Sequence, residues 1–116
     1  MKKYCTIITV KPEHMQDYVD LHKNAWPEIL EAIESAGAEN LVIFRWENRS
    51  IVFFECDDLD EFYVSYGKTD ACRRWNAVTT PWFDDSPTLD GSGSVDNLEK
   101  IFDYKEQLAA IRNSAE

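Results

Sequence analysis

The sequence NLVIFRW-ENRS-IVFFEC, residues 40–56, contains two strand patterns separated by a polar turn. Because β-branched and aromatic residues dominate residues 40–46 and 51–56, we predict two antiparallel strands paired as a hairpin. Successive side chains of a strand point to opposite faces. Apolar side chains therefore lie on both faces of the hairpin. We expect one face to meet helices and the other to meet a ligand or a second subunit.

A helical pattern precedes the hairpin. Apolar residues recur at helical spacing between about residues 14 and 36. Pro27 has no N–H and disturbs a helix interior, so we expect the helix to bend or restart near residues 24–26. Gly37 is typical of the position just after a helix, where a left-handed backbone ends it.

A second helical region follows the hairpin. Asp58, with Glu61 three residues later, resembles a capping box and predicts that a helix begins at Leu59. This helix should end at Gly67, and Thr69 can cap a further helical piece. Helices are therefore predicted on both sides of the hairpin.

The outer parts of the chain supply two more strands. Residues 3–10 and 98–104 have strand patterns, residues 84–96 form a loop of Asp, Ser, Gly and Pro, and residues 105–112 favour a short helix. The resulting βαββαβ order predicts an α+β, ferredoxin-like sandwich. Four strands cannot close a barrel. A twofold partner is therefore expected to cover the open face, as in the dimeric α/β barrel type.

Composition limits the class of protein. The 116 residues have room for one domain, residues 1–116, and carry 12 basic and 22 acidic side chains for a net charge of −10. Such a surface repels nucleic acid and anionic membranes, so a neutral or sparsely charged small molecule is the expected ligand. No apolar run approaches the roughly 18 residues that a membrane span needs.

The cysteines and the start of the chain predict a cytoplasmic protein. The three cysteines are odd in number and show no CxxC spacing, which favours a reducing compartment over a disulfide scaffold or a zinc ribbon. The beginning, Met1-Lys2-Lys3, is followed by only seven mostly apolar residues before Lys11 and does not match a signal peptide.

One histidine is a candidate for chemistry. Tyr18, His22 and Trp26 are four residues apart, so a helix places the imidazole between two aromatic rings on one face. An imidazole titrates near 6.5 and suits proton transfer at neutral pH, with aromatics as a sugar-binding wall. The alternative is a packed aromatic stripe that contains a hydrogen-bonded core histidine.

Other chemistries lack support in the sequence. The chain has no P-loop, GxGxxG or HExxH motif, and Gly91-Ser92-Gly93 is a weak phosphate loop because no strand precedes it. His14 and His22 have no carboxylate arranged to complete a metal site. Turn formation explains Asp84 and Asp85 as well as a catalytic pair does. We therefore expect neither a cofactor nor a metal.

Four motifs together resemble the L-rhamnose mutarotase family: YVDLHKNAWPE (18–28), GAEN (37–40), TDACRRW (69–75) and DSP (85–87). The resemblance extends over roughly residues 3 to 90 and the last strand. It implies a cytoplasmic homodimer with face-to-face sheets. It also implies an isomerase of carbohydrate metabolism that interconverts the α and β anomers of a 6-deoxyhexose without a cofactor.

The resemblance also implies residue roles. His22 takes the place of the catalytic proton donor, Tyr18 of a sugar-binding residue, and Trp75 of the first member of a tryptophan pair that lines the pocket. Two positions depart from the family, because Leu41 stands where rhamnose-specific members have tyrosine and Asn76 where the second tryptophan would be. A site distinguishes sugars by matching each hydroxyl, so both departures bear on which sugar is bound.

Several alternatives stay open. L-Fucose joins L-rhamnose as a candidate substrate, and the proton acceptor that pairs with His22 is unassigned. Trp26 either lines the apolar wall or only packs. A cofactor-free monooxygenase or a non-catalytic ligand-binding module would share the fold. The loop at residues 84–96 and the residues after Tyr104 have no assigned role.

Overall fold

A four-stranded antiparallel sheet forms one layer of the computed structural model, which describes residues 1–84 and 96–114. The strands are β1 (Lys2–Thr9), β2 (Asn40–Trp46), β3 (Arg49–Cys56) and β4 (Asp96–Leu98), arranged in the order β2-β3-β1-β4. This order is the ferredoxin-like one, so the predicted α+β fold is confirmed.

Helices form the second layer. In the described residues this layer holds α1 (Met15–Lys23), α2 (Pro27–Ser35), α3 (Leu59–Gly67) and α4 (Asp70–Thr79). A fifth helix, α5 (Tyr104–Ser114), is largely exposed. Short 3-10 turns, Pro12–His14 and Thr80–Trp82, precede α1 and follow α4. No helix among the described residues is long and apolar enough to cross a membrane.

The predicted interruption of the first helix is confirmed. Pro27 is the first residue of α2, and Trp26 caps it with an extended backbone. Gly37 has a φ of +102°, and its N–H donates to the Glu34 carbonyl at 3.0 Å after the helix ends. Residues 24–26 separate α1 from α2, and His22 lies in the last turn of α1.

The predicted caps of the second helical region are also present. Asp58 Oδ1 accepts the Glu61 N–H at 3.0 Å at the start of α3. Thr69 Oγ1 accepts the Cys72 N–H at 3.1 Å at the start of α4. The two caps fix where α3 and α4 begin.

The core lies between the helices and one face of the sheet. The buried residues are apolar or aromatic with few exceptions, and the largest contributions come from Ile8, Val10, Val52 and Phe54 on the sheet and Tyr18, Ile29, Phe62, Tyr66 and Trp75 on the helices. Cys56 and Cys72 are buried, and Cys5 is half-buried on the opposite face of the sheet.

On that opposite face several apolar side chains are exposed in the part of the chain that the structure describes. On β2, Phe44 is 63% exposed and Trp46 is 58% exposed, with exposed Val42 beside them. Leu98 is exposed on β4, at the other edge of the sheet. The prediction that both faces of the hairpin are apolar is therefore confirmed.

The boundaries of two elements were predicted wrongly. The turn of the hairpin is only Glu47 and Asn48, because Glu47 adopts a φ of 53° and lets β3 begin at Arg49. The fourth strand is Asp96–Leu98 rather than residues 98–104.

The fourth strand is short because a helix start competes with it. The Asp103 carboxylate forms an ion pair with Lys3 of β1, with 2.9 Å between Oδ2 and Nζ. Its other carboxylate oxygen accepts the N–H of Glu106 at 3.1 Å, which begins α5 at Tyr104. The alternating residues Phe102 and Tyr104 are consequently exposed instead of paired in a sheet.

Some sequence predictions fall outside the described residues. The loop predicted at residues 84–96, the DSP motif at 85–87 and the glycine pair at 91–93 lie almost wholly between Asp84 and Asp96, where the description stops and resumes.

Candidate active site

A cavity of about 540 Å³ lies between the helical layer and the inner face of the sheet. Four of the six predicted site residues line it, namely Tyr18, His22, Leu41 and Trp75. Most of the other lining residues are apolar, and they include Ile8, Ile29, Ile43, Val52, Phe54 and Phe62. Such a mixture of apolar wall and few polar groups is typical of a small-molecule site.

The hydrogen bond of His22 defines its tautomer. His22 Nδ1 lies 2.7 Å from the backbone carbonyl oxygen of Tyr18, one helical turn earlier. A carbonyl oxygen only accepts, so Nδ1 carries the hydrogen and donates it. In the neutral imidazole the lone pair is therefore on Nε2, the nitrogen left for a ligand in the cavity.

Aromatic rings enclose this imidazole on two sides. The Tyr18 ring centroid is 4.1 Å from that of His22, and the Trp75 ring meets His22 edge-on at 5.1 Å. Burial lowers the pKa of His22 from its ordinary value of 6.5, and the backbone hydrogen bond to Tyr18 opposes this only in part. The lowered pKa favours the uncharged imidazole, the form that can accept a proton.

Tyr18 presents its ring to the cavity while its hydroxyl is held inside the core. The hydroxyl lies 2.7 Å from Ser50 Oγ, and both residues are buried. Burial raises the pKa of Tyr18 to about 12, although the Ser50 hydrogen bond lowers it somewhat. Tyr18 is therefore a neutral phenol whose hydroxyl already has a partner on β3.

Trp75 lines the cavity and also contacts Trp26, which lies outside the lining. It is 6% exposed, and its ring meets that of Trp26 edge-on at 5.1 Å. The Arg74 guanidinium lies 5.7 Å from the Trp26 ring and bonds Asp70 at 2.9 Å and Glu28 at 3.5 Å. Trp26 is outside the lining residues and contacts the site through Trp75.

The two positions that depart from the family differ in placement. Leu41 lies on the cavity wall and pairs in register with Phe54, which adds an apolar surface there. Asn76 does not line the cavity, and its Nδ2 donates to Cys72 Sγ at 3.5 Å. Asn76 Oδ1 is buried and has no hydrogen-bond partner among the residues that the structure describes.

Sequence reasoning missed the tyrosines of α3. Tyr63 and Tyr66 both line the cavity, and burial raises the pKa of each hydroxyl. Their signal was the aromatic run Phe62-Tyr63 followed by Tyr66, at helical spacing directly after the hairpin. Glu34, Glu39 and Asn40 also line the cavity and are exposed.

Metal-ligating side chains are dispersed in the described part of the chain. Within residues 1–84 and 96–114 no three His, Cys, Asp or Glu side chains are grouped in a way that could hold an ion.

Fold and cavity together define a ferredoxin-like α+β protein with one neutral imidazole in an aromatic pocket. A sequence profile of the L-rhamnose mutarotase family matches residues 3–104. The chain belongs to the L-rhamnose mutarotase family, and the resemblance seen in its motifs is confirmed.

Individual relatives agree with this assignment. The chain is 27% identical over 97 residues to an L-rhamnose mutarotase of Escherichia coli O8, with 83% of this chain and 91% of the relative covered. It is 26% identical over 103 residues to an L-rhamnose mutarotase of Listeria monocytogenes, with 88% and 97% covered.

Solved structures share the fold. An L-rhamnose mutarotase from Formosa agariphila superposes with a TM-score of 0.69 at 16% identity, covering 89% of this chain and 98% of that one. A putative antibiotic biosynthesis monooxygenase from Bordetella bronchiseptica superposes with a TM-score of 0.60 at 15% identity, covering 86% and 96%. At such identities the likeness concerns the fold alone, so the monooxygenase gives no argument about chemistry.

Proposed function

We propose that this chain is an isomerase that interconverts the α and β anomers of a 6-deoxyhexose, with L-rhamnose as the first candidate. The observation that carries the proposal is the His22 imidazole, neutral and with Nε2 available, inside an aromatic and apolar cavity. The L-rhamnose mutarotase family to which the chain belongs supports the sugar class. Trp75 supplies an apolar surface for the C–H face of the sugar, and Leu41 one for its methyl group.

The reaction moves one proton between two oxygens of the sugar. Nε2 of His22 takes the proton of the anomeric hydroxyl while the bond between C1 and the ring oxygen breaks, which leaves an aldehyde. The imidazolium then donates this proton to the former ring oxygen, so His22 acts as the proton donor and returns to its neutral form. Rotation about C1–C2 and the reverse steps close the ring on the other face.

The pH dependence follows from the neutral resting state of His22. We expect kcat/KM to be constant near and above pH 7 and to fall on acidification, because protonated Nε2 cannot accept the anomeric proton. The midpoint should lie below 6.5, since burial lowers the pKa of His22. Exchange rates corrected for the uncatalysed reaction, compared with an NMR titration of the His22 ring hydrogens, test this. A midpoint above 6.5 would contradict a desolvated base.

The activity itself is tested by NMR saturation transfer between the two anomeric protons. L-Rhamnose and L-fucose are run in parallel with a buffer blank. Transfer with L-rhamnose supports the proposal as stated, whereas transfer with L-fucose alone would mean that the cavity wall altered at Leu41 selects the other sugar. Binding of either sugar without transfer would favour a ligand-binding module, and substrate-dependent oxygen consumption would favour a monooxygenase.

We also propose that two copies pack through the open faces of their sheets. The exposed apolar row Val42, Phe44 and Trp46, which continues into half-buried Ile51 and Phe53, is the support for this. A cytoplasmic location remains part of the same proposal, on the strength of the cysteine usage.

The dimer gives a prediction for one side chain. Phe44→Lys places a charge at the centre of the apolar row and should convert a dimer into a monomer without changing the fold. Sedimentation velocity on both proteins measures this. Val64→Lys, at an exposed apolar position on α3, is the matched control and should stay dimeric. A wild-type monomer at tens of micromolar, or a dimeric Phe44→Lys protein, would refute the arrangement.

A further inference from the structure

The hydroxyl and imidazole groups of the cavity differ in whether another protein group already forms a hydrogen bond with them. The Tyr18 hydroxyl is bonded to Ser50, and His22 Nδ1 is bonded to the Tyr18 carbonyl. The Tyr66 hydroxyl lies against Cys72, whose proximity contributes to raising its pKa. Tyr63 differs, because its half-buried side chain lines the cavity and, within residues 1–84 and 96–114, Thr6 is the group that acts on its hydroxyl as a hydrogen-bond partner.

The ring of Tyr63 is fixed by its neighbours. It meets the rings of Phe54 and Phe62 at 5.7 and 5.5 Å, both at steep angles. Phe54 is the register partner of Leu41, so Tyr63 belongs to the same wall of the cavity as Leu41. Leu41, Phe54 and Phe62 supply only apolar surface there, and the Tyr63 phenol is the group among these four side chains that can donate a hydrogen bond to an oxygen.

A buried hydroxyl stands behind Tyr63. Thr6 of β1 is wholly buried, and its Oγ1 has no hydrogen-bond partner of normal geometry among the described residues. Thr6 nevertheless lies close enough to Tyr63 to lower the pKa of the phenol, although burial outweighs it and the net shift is upward. A buried hydroxyl without a partner is unfavourable, so a small movement that lets Thr6 donate to the Tyr63 oxygen satisfies it.

From this arrangement we infer that Tyr63 is a substrate-binding residue that donates its phenolic hydrogen to an oxygen of the sugar. Thr6 acts as a positioning residue that donates to the Tyr63 oxygen, which leaves the phenolic hydrogen for the ligand. The neutral phenol keeps this hydrogen across the working pH range. The inference rests on the proposed function, because it names a further contact of the same sugar in the same cavity.

The first test removes one hydroxyl and keeps the ring. Tyr63→Phe should raise KM for the active sugar about tenfold and change kcat less than threefold. This pattern is expected because the variant loses one neutral hydrogen bond that the ground state and the transition state make equally. Tyr4→Phe is the matched control, since Tyr4 is half-buried beside the core but does not line the cavity. An unchanged KM in Tyr63→Phe would overturn the inference.

The second test asks whether Thr6 works through Tyr63. Thr6→Val should raise KM roughly threefold alone, and should add nothing in the Tyr63→Phe background, because the partner hydroxyl is then gone. A merely structural Thr6 would change both backgrounds equally and would refute its role. If Tyr63→Phe fails to fold, the rise in KM of Thr6→Val still tests the inference.

These results are separable from failure of the proposed function. A wild-type protein without saturation transfer with any 6-deoxyhexose refutes the function and the inference together. A wild-type protein with transfer and a Tyr63→Phe protein with the same KM refutes only the inference.

Discussion

Replacing His22 with asparagine is expected to lower the catalysed anomer exchange by about 10²- to 10⁴-fold, the range for losing a general acid/base. The asparagine amide can still donate to the Tyr18 carbonyl, which His22 Nδ1 bonds at 2.7 Å, so the end of α1 should keep its geometry. The asparagine side chain has no basic nitrogen in place of Nε2, so it cannot accept a proton from the sugar. Saturation transfer at matched protein concentration measures the loss, and circular dichroism checks the fold.

His14→Asn is the matched control for this result. His14 is the other histidine of the chain, lies 3.3 Å from Asp17 and stacks near Trp82, away from the cavity lining. Its variant should retain wild-type exchange. Full activity in His22→Asn would show that the imidazole is one of the hydrogen-bonded core histidines that the aromatic spacing also allows.

Truncating Trp75 to alanine is expected to destabilise the fold by about 3–5 kcal/mol. The indole is 6% exposed and fills the space between His22 and Trp26, so its removal leaves a void between α1, α2 and α4. Small domains are stable by only about 5–15 kcal/mol, so the loss should be plain in urea unfolding. Val78→Ala, at an exposed position on the same helix, should change stability by less than about 1 kcal/mol.

The same variant should change the titration of His22. Burial is the largest cause of the lowered pKa of this imidazole, and the Trp75 ring is one of the groups that keep water away. Admitting water into the void should therefore raise the pKa of His22 toward 6.5. A Trp75→Ala protein that loses stability but keeps the His22 titration unchanged would mean that Tyr18 and the backbone alone desolvate the ring.

Local patterns in the chain specified most of the architecture. The alternation in residues 40–46 and 51–56 and the break at Pro27 are properties of neighbouring residues, so they could be predicted without the fold. The same holds for the caps at Asp58 and Thr69. Their order along the chain restricts the topology to the split βαβ arrangement.

The fourth strand shows where local pattern fails. Residues 98–104 alternate like a strand, yet the strand ends at Leu98 and α5 begins at Tyr104. Asp103 accounts for this difference, because its carboxylate pairs with Lys3 and accepts the backbone N–H of Glu106 at the start of α5. Lys3 and Asp103 are a hundred residues apart in the chain, and no local signal reports such a contact.

The candidate site divides in the same way. Helical spacing alone grouped Tyr18, His22 and Trp26, and the family motifs added Trp75 and Leu41. Packing then brought Trp75 of α4 and Leu41 of β2 to His22 around one cavity, kept Trp26 outside its lining and placed Tyr63 on its wall. The roles of these residues stay predictions that the variants above test.

Sequence periodicity thus reports which face of an element is apolar, since it depends only on the pitch of a helix or strand. The neutral tautomer of His22, the internal bond of the Tyr18 hydroxyl to Ser50 and the unpartnered Thr6 hydroxyl beside Tyr63 all depend on groups that meet only when separate elements pack. Desolvation and hydrogen-bond geometry, which set the chemistry of the cavity, are for that reason products of the tertiary structure.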